Sequence, residues 1–600
     1  MRLARTPAAR LRTLPRGLRG GLGVLAAVLG VTIVFRPTAS LGVLALLIGA
    51  GFVLTGGLEL VAARDAAAPP RWRVALAVLW IAGGVVVLLA PGLTVRAVAL
   101  AVGLALLVNG VLQVVSGCFG AGTADARVTS MLLGLAWIVF GGLALAWPDI
   151  TLLVVGVAFG ARLVVDGLLA AWRALREPSA PLDAPDAPDA PDTPRPARHR
   201  WRATLAAALA LAVALAAGSV SVLLRRGSPV VDAFYAPPRD VPGRPGQLIR
   251  SEPFDRGVPD GAQGWRILYT TSHGDGSAAV ASGLVVVPRG GTGDWPVISW
   301  THGTTGFAEQ CAPSQLPEPF TSGALLVLPE LIENGWALVA TDYPGLGTAG
   351  PHPYLIGVPS GQAALDAVRA ARQLADAHLG PRTVAWGHSQ GGGAALWAGA
   401  LAARYAPDVP LSGVAALAPA SNAPALMANL GQVRGSSVFA SYAFAAYAAH
   451  YPDVTYREYI RPGAEETVRR LADRCLSSPD ALASVLVLLG LAGDPEIFAR
   501  PPLDGALGRR LQENTPPATI SAPLLIAQGA TDGIVTRAGQ EAFVEGLCAA
   551  GQQVDYRVYA GKGHMPLVES DSPLVPQLFA WTAARFNAER VESGCTRSEH

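Results

Sequence analysis

The stretch Trp386-Gly387-His388-Ser389-Gln390-Gly391-Gly392-Gly393 decides the fold, because it has the form of a G-x-S-x-G nucleophile elbow. Residues 383–386 before it predict a strand, and the Ala-rich residues 393–405 after it predict a helix. Glycines at 387 and 391 lack the Cβ atoms that would collide in so sharp a reversal. The pattern predicts an α/β-hydrolase fold with Ser389 as the nucleophile.

Two later loops supply partners for this serine. The apolar residues 522–527 predict a buried strand that leads to Asp532, and residues 554–559 predict a strand that leads to His564. An isolated Asp or His in a loop is usually solvated, but serine, acid and histidine follow here in the chain order of α/β-hydrolases. An imidazole must take the serine proton, and a carboxylate must orient that imidazole. We predict a triad of Ser389, Asp532 and His564.

The developing oxyanion needs two N–H donors. The backbone N–H of Gln390, directly after the nucleophile, is the first candidate. The second comes from the loop after the predicted strand 296–300, where we select the N–H of Thr304. His302 in the same loop is interpreted as structural. Asp342 is interpreted in the same way, because it precedes the serine and the chain order already provides an acid.

Four motifs together resemble the secretory lipase family of α/β-hydrolases, over about residues 235–590. They are His302-Gly303-Thr304, Cys311-Ala312-Pro313-Ser314, Asp342-Tyr343-Pro344-Gly345-Leu346-Gly347 and Gly387-His388-Ser389-Gln390-Gly391-Gly392. The resemblance implies ester or triacylglycerol hydrolysis through Ser389, Asp532 and His564. It also implies a helical cap between the serine and the acid. Family members are usually secreted as free proteins, whereas this chain has a long apolar N-terminal half.

That N-terminal half predicts a membrane domain. The 600 residues are 51% hydrophobic and 15% charged, which is too apolar for an ordinary soluble enzyme. After a basic, cytoplasmic N-terminus at 1–19, residues 20–175 predict six transmembrane helices, because each apolar run is near the length that crosses a bilayer. The runs are 20–35, 40–62, 74–90, 97–116, 130–147 and 150–171.

The six helices repeat as three hairpins. Pro37, Pro91 and Pro148 each separate two apolar runs, and glycines recur about twenty residues later. Proline suits a tight interfacial turn, and glycine allows close helix contact in lipid. This pattern resembles the HdeD-like family of acid-resistance membrane proteins over about residues 15–175, a likeness that implies no catalytic residue.

The rest of the chain divides into three parts. Residues 176–202 are a Pro- and Asp-rich linker that cannot pack a core. Residues 203–224 predict a seventh transmembrane helix, and 227–600 predict the hydrolase domain with a helical cap at about 423–515. The aromatic residues between 442 and 447 in the cap either line an acyl pocket or, as is commoner at helical spacing, form core.

Arginines and cysteines bear on location. Arginine is concentrated in the N-terminus, in the loop between the second and third helices and in the linker, so the positive-inside rule places these segments in the cytoplasm and the hydrolase outside. The catalytic region holds four cysteines, an even number that suits an oxidising compartment and allows three connectivities. The secretory lipase resemblance favours Cys311–Cys475 and Cys548–Cys595. Four free thiols in a cytoplasmic domain are the alternative.

The sequence therefore predicts a cell-membrane, multi-pass serine esterase or lipase that cleaves esters of apolar acyl chains through an acyl-enzyme. Its expected partners are a lipid or ester substrate and the bilayer. We expect no metal or organic cofactor and no nucleic acid, because the net charge is +2 and no such motif is present. The oligomeric state is left open. One alternative is an acyltransferase acting on envelope lipid or glycan; another is a stress-response membrane protein whose hydrolase domain serves for binding.

Overall fold

The computed structural model describes residues 16–64, 71–120, 123–176, 197–226, 229–290, 293–430, 433 and 435–600. The residues it describes form two compact units. The first runs to Arg226 and includes two later segments, Ile460–Thr467 and Leu486–Ile497. The second comprises Gly227–Tyr459, Val468–Val485 and Phe498–His600. Most of the predicted linker lies outside the described residues.

The first unit is built from long apolar helices. They are α1 Arg16–Phe35, α2 Pro37–Arg64, α3 Arg71–Leu89, α4 Pro91–Phe119, α5 Ala124–Ala146, α6 Pro148–Arg176 and α7 Ala197–Arg226. Within the described residues, α2, α4, α5, α6 and α7 are long and apolar enough to cross a membrane, whereas α1 and α3 contain shorter apolar stretches. The several apolar helices are confirmed, and seven crossings remain a prediction. Helix α7 starts at Ala197, inside the predicted linker.

Prolines and glycines organise these helices differently from the simple hairpins that we predicted. Each proline turn joins two helices, but the close glycine contacts lie between one hairpin and the next. A Cβ built on Gly110 of α4 would lie 2.7 Å from the carbonyl oxygen of Gly134 in α5, and the reverse distance is also 2.7 Å. Gly49 and Gly84 bring α2 and α3 together in the same way. The third contact joins α6, the last helix of the third hairpin, to α1.

That third contact closes a ring of six helices. A Cβ on Gly160 of α6 would lie 2.8 Å from the carbonyl oxygen of Gly30 in α1, and one on Gly23 would lie 2.7 Å from that of Gly167. Such small residues allow helix backbones to approach closely where lipid replaces water. The three hairpins therefore form three equivalent glycine contacts.

The two later segments of the first unit were predicted to belong to the cap. Asp494 accepts hydrogen bonds from the backbone N–H of Ala39, at 3.1 Å, and from the hydroxyl of Thr38. Its carboxylate is buried and requires such donors. The compact units thus divide the predicted 423–515 cap rather than keeping it whole.

The second unit contains a mixed sheet of ten strands among the described residues. They are β1 Leu248–Phe254, β2 Ala262–Ser272, β3 Ala278–Pro288, β4 Trp295–Thr301, β5 Ala337–Thr341, β6 Leu379–His388, β7 Leu411–Leu417, β8 Leu524–Gly529, β9 Val554–Tyr559 and β10 Cys595–Glu599. The order is β1-β2-β3-β5-β4-β6-β7-β8-β9-β10. The first three pairings are antiparallel and the others parallel. Parallel strands place their following loops at one edge of the sheet.

Helices cover this sheet on both faces. They are α8 Leu328–Glu333, α9 Gly357–Ala371, α10 Gln390–Tyr405, α17 Arg537–Ala549 and α18 Leu574–Phe586. Trp386 in β6 is fully buried, and its indole N–H donates to Thr582 in α18 at 3.0 Å. The predicted strand before the serine is confirmed, although it is longer than 383–386.

The helix after the serine begins at Gln390 rather than at Gly393. Glycine has a low helix propensity, so the run of glycines at 391–393 led to a predicted start at 393. Here they are needed for packing: a Cβ on Gly391 would collide with the carbonyl oxygen of Thr301, and one on Gly392 would lie 2.7 Å from Pro419. The glycines bring the first turn of α10 against β4 and the loop after β7.

The segment between β7 and β8 is helical, as the sequence predicts. Its helices are α11 Ala423–Leu430, α12 Ser437–His450, α13 Tyr456–Tyr459, α14 Glu465–Ala472, α15 Ala481–Gly490 and α16 Gly505–Glu513. The aromatic side chains of Tyr442, Phe444 and Tyr447 are fully buried. The two tyrosine hydroxyls donate to backbone carbonyls, Tyr442 to Arg474 at 2.8 Å and Tyr447 to Leu355 at 3.1 Å. Of the two interpretations, core is therefore the one that the structure shows.

Candidate active site

Ser389 lies between the end of β6 and the start of α10. Its φ and ψ are 58° and −120°, a conformation that costs free energy for a residue with a side chain. Backbone hydrogen bonds hold it on both sides: Ser389 N–H donates to Leu417 at 2.9 Å, and its carbonyl accepts from Ala420 at 2.9 Å. The strained turn thus directs the hydroxyl away from the sheet.

The structure brings Ser389, His564 and Asp532 together. His564 Nε2 lies 2.8 Å from Ser389 Oγ, and His564 Nδ1 lies 2.7 Å from Asp532 Oδ2. A carboxylate only accepts, so Nδ1 carries the proton and Nε2 is free to accept from the serine hydroxyl. The three residues come from the loops after β6, β8 and β9, which share one edge of the sheet.

Asp532 is itself fixed in place. Its second oxygen, Oδ1, accepts the backbone N–H groups of Ile534 at 2.9 Å and Val535 at 3.0 Å. The amide of Gln528 donates to Oδ2 at 3.4 Å. The side chain is buried, and a buried polar group needs hydrogen-bond partners of this kind. It therefore presents a single, oriented oxygen to His564.

The two residues selected for the oxyanion both line the same cavity as Ser389. Gln390 is the first residue of α10, where a backbone N–H has no intrahelical acceptor and the helix dipole favours negative charge. Its side-chain amide lies 2.9 Å from Nε2 of His352. The hydroxyls of Thr304 and Tyr354 are 2.8 Å apart, and burial raises the pKa of Tyr354. That the two backbone N–H groups hold an oxyanion remains a prediction.

The cavity above Ser389 has a volume of about 340 Å³. Beside the polar residues already described, its walls carry aliphatic and aromatic side chains from the cap and from the loops after β8 and β9. They are Leu426, Leu430, Phe439, Leu476, Ile534, Val535 and Met565. Such a wall favours an apolar ligand group, since it removes apolar surface from water.

The four cysteines of the catalytic region are paired. Disulfides join Cys311 to Cys475 and Cys548 to Cys595. These are the pairs that the family resemblance implies, among the three that the count allows. Cys311 follows the oxyanion loop, which is the segment after β4 that contains Thr304. Cys475 precedes the cavity residue Leu476. The first disulfide therefore fixes two walls of the cavity relative to each other.

His302 and Asp342 take structural positions. Asp342 is buried and accepts from Ser314 N at 3.0 Å and from the hydroxyls of Ser282 and Ser314 at 2.6 and 2.5 Å. Burial raises the pKa of Asp342, and burial lowers the pKa of His302 to about 4. A His302 ring nitrogen lies 3.3 Å from the Asp342 carbonyl oxygen. The structural interpretation of both residues agrees with these contacts.

Sequence reasoning gave no role to several residues at the site, among them Tyr354, Phe439 and His388. Tyr354 and Phe439 lie in segments without a motif, and only the tertiary fold brings them to the cavity. His388 lies inside the elbow motif, but the motif leaves its position unspecified. A histidine directly before the nucleophile was the signal that the sequence offered.

The catalytic region is similar to known proteins in sequence and in fold. Residues 312–594 match the family model described as "Secretory lipase". This region therefore carries a secretory lipase domain. Lipase A of Moesziomyces aphidis is 26% identical over 400 residues, covering 62% of this chain and 84% of its own. A secreted triacylglycerol lipase of Malassezia globosa is 25% identical over 417 residues, covering 65% and 87%.

The closed state of Candida antarctica lipase A has a TM-score of 0.51 with this chain at 21% identity, covering 62% of this chain and 90% of that one. This likeness shows that the secretory lipase domain has a lipase-like α/β-hydrolase fold. The first unit matches three times, at 21–89, 75–141 and 132–182, to a short repeat of unknown function (DUF308). These matches fit the resemblance to HdeD-like membrane proteins. The protein is a lipase- or esterase-like hydrolase with a membrane-type helical region.

Proposed function

We propose that the chain is a membrane-anchored serine esterase or lipase that works through an acyl-enzyme. The observation that carries the proposal is the continuous chain of hydrogen bonds from Ser389 through His564 to Asp532, at 2.8 and 2.7 Å. His564 takes the serine proton while Ser389 Oγ bonds to the ester carbonyl carbon. Asp532 stabilises the imidazolium that forms.

The remaining steps follow from the same geometry. The tetrahedral intermediate collapses, His564 gives its proton to the leaving alcohol, and the acyl group stays on Ser389. A water then gives a proton to His564 as its oxygen attacks the acyl carbon; His564 returns that proton to Ser389 Oγ as the bond between Oγ and the acyl carbon breaks, and the acid leaves. The N–H groups of Gln390 and Thr304 would stabilise the negative oxygen in both halves.

We propose esters of apolar acyl chains as the substrate class. Support comes from a cavity of about 340 Å³ whose walls include Leu426, Leu430 and Phe439 of the cap together with Met565 and Ile534. An acyl chain placed there exchanges water for apolar contact along its length, which favours longer chains over acetate.

The proposed location is the outer side of the cell membrane, with the N-terminus in the cytoplasm. The five apolar helices and the two disulfides support it, because disulfides persist in oxidising compartments. Protease treatment of intact cells, combined with mass spectrometry of unreduced peptides, tests it. Full protection together with free thiols would contradict the proposed orientation.

The deciding experiment is labelling by a fluorophosphonate probe. The full-length protein should be labelled at Ser389, and Ser389→Ala should lose both labelling and nearly all turnover, by about a millionfold. Ser322→Ala is the matched control, since Ser322 also lines the cavity. Equal labelling of the wild type and Ser389→Ala would overturn the proposed function.

A further inference from the structure

His388 lies one residue before Ser389 and is only 1% exposed. Its Nε2 lies 3.1 Å from the carbonyl oxygen of His564. Because a carbonyl oxygen can only accept, His388 must carry its proton on Nε2 and donate it. The last residue of β6 is therefore bonded to the main chain of the histidine that follows β9, although two strands, β7 and β8, lie between them in the sheet.

The other ring nitrogen of His388, Nδ1, is buried without a hydrogen-bond partner among the described residues. It faces Gly303, where a Cβ would lie 3.4 Å away. A buried polar atom without a partner destabilises a fold, whereas an apolar side chain of similar size would avoid that cost. Packing alone therefore does not explain an imidazole here. The hydrogen bond from Nε2 does.

The charge state of His388 is compatible with its hydrogen bond to the His564 main chain. Burial, reinforced by repulsion from His564, lowers the pKa of His388 to about 3, so the ring is neutral near pH 7. The two rings lie 4.7 Å apart between centroids. A neutral His388 can hold the His564 main chain without adding a second positive charge when His564 becomes an imidazolium.

We propose that His388 is a positioning residue, whose Nε2–H fixes the main chain of His564 so that His564 Nε2 stays within hydrogen-bond reach of Ser389 Oγ. The inference rests on the proposed function. His564 must hold this distance while it moves a proton in both halves of the reaction, and small misplacements of a catalytic group cost rate. His388 lies at the edge of the cavity but is only 1% exposed, and its Nε2 is bonded to the main chain, so its loss should change turnover more than binding.

Three variants of the full-length protein test the inference with a soluble nitrophenyl ester. His388→Leu removes the donor, and we expect kcat to fall by about 10- to 100-fold with KM changed by less than about threefold. His388→Gln places an amide N–H near the position of Nε2 and should recover most of the loss. His388→Asn keeps the amide but ends one bond short, so it should resemble His388→Leu.

Rates are normalised to the number of fluorophosphonate-reactive sites, so that misfolded protein does not enter kcat. A kcat for His388→Leu within about threefold of wild type would overturn the inference. Equal losses in the Leu and Gln variants would also overturn it, because they would make His388 a packing residue. Failure of the wild type to label at Ser389 would instead contradict the proposed function, so the two failures are distinguishable.

Discussion

The backbone N–H of Leu476 donates a hydrogen bond to the carbonyl oxygen of Thr305, at 2.8 Å, directly beside the disulfide between Cys475 and Cys311. The Thr305 hydroxyl in turn donates to the carbonyl of Cys311 at 2.8 Å. The cap wall and the oxyanion loop are therefore joined by one covalent bond and one hydrogen bond, and the Thr305 hydroxyl ties the two anchor points on the loop side together. The second disulfide lies between α17 and β10, away from the cavity.

Removing the Cys311–Cys475 disulfide should affect activity as well as stability. It spans 164 residues, and a bond that closes so long a loop contributes about 2–5 kcal/mol. We expect the double variant Cys311→Ser/Cys475→Ser to lose stability and also kcat/KM, because Thr304 and Leu476 lose their common support. Cys548→Ser/Cys595→Ser is the control and should lose stability alone. Unfolding midpoints and ester kinetics at a temperature where all variants are folded make the comparison.

The elbow glycine Gly391 should not tolerate a side chain. In Gly391→Ala the new Cβ would collide with the carbonyl oxygen of Thr301, and backbone cannot yield cheaply. We expect a loss of about 2 kcal/mol or more, or no folded protein. Gly546→Ala in α17 is the matched control, because a Cβ there meets nothing within 4 Å and the change should stabilise by about 0.5–1 kcal/mol. Similar unfolding midpoints for the two variants would contradict this account of the elbow.

Filling the cavity should change the preferred acyl length. Leu426→Trp replaces an aliphatic side chain in the cavity wall by a bulkier indole. We therefore expect kcat/KM for octanoate and longer esters to fall at least about tenfold, while kcat/KM for acetate esters is retained. Leu482→Trp on α15 is the control, since Leu482 is exposed and does not line the cavity. A chain-length series of nitrophenyl esters measures both. An unchanged series for Leu426→Trp would count against an acyl site in this cavity.

Acid should destabilise the second unit. Burial lowers the pKa of His302 to about 4, that of His388 to about 3 and that of His352 well below its usual range, from an ordinary value of 6.5. Below about pH 6.5 these histidines are protonated in the unfolded chain but remain neutral in the folded protein. The free energy of unfolding therefore falls as pH falls. The slope approaches about 1.4 kcal/mol per pH unit for each histidine, down to about pH 4. Asp342, with its raised pKa, acts in the opposite direction and offsets part of this loss.

Denaturant unfolding of the protein between pH 7 and 5, followed by tryptophan fluorescence, measures that slope. Burial also lowers the pKa of His450, so His388→Gln should remove between about one quarter and one third of the histidine contribution. A stability that does not change with pH would show that these histidines are hydrated or paired with acids in the folded state.

The sequence predicts much of this fold because the relevant signals are local. The strand that becomes β9 is predicted at its observed bounds, and Ser389, Asp532 and His564 each follow a strand. The start of α10 was predicted three residues too late, since glycine propensity conflicts with a tertiary need for close packing. The bond from His388 to His564 depends on strands far apart in the chain, and no local pattern carries that information.

The ring of helices in the first unit has a consequence for how the protein is made. Two of its glycine contacts join helices that emerge consecutively from the ribosome, but the third pairs Gly30 with Gly160. Until α6 is synthesised, the glycine face of α1 has no partner and remains open to lipid or to other membrane chains. The third hairpin completes the ring of helices. A chain truncated before this hairpin would leave α1 without its packing partner and would not form a smaller version of the same domain.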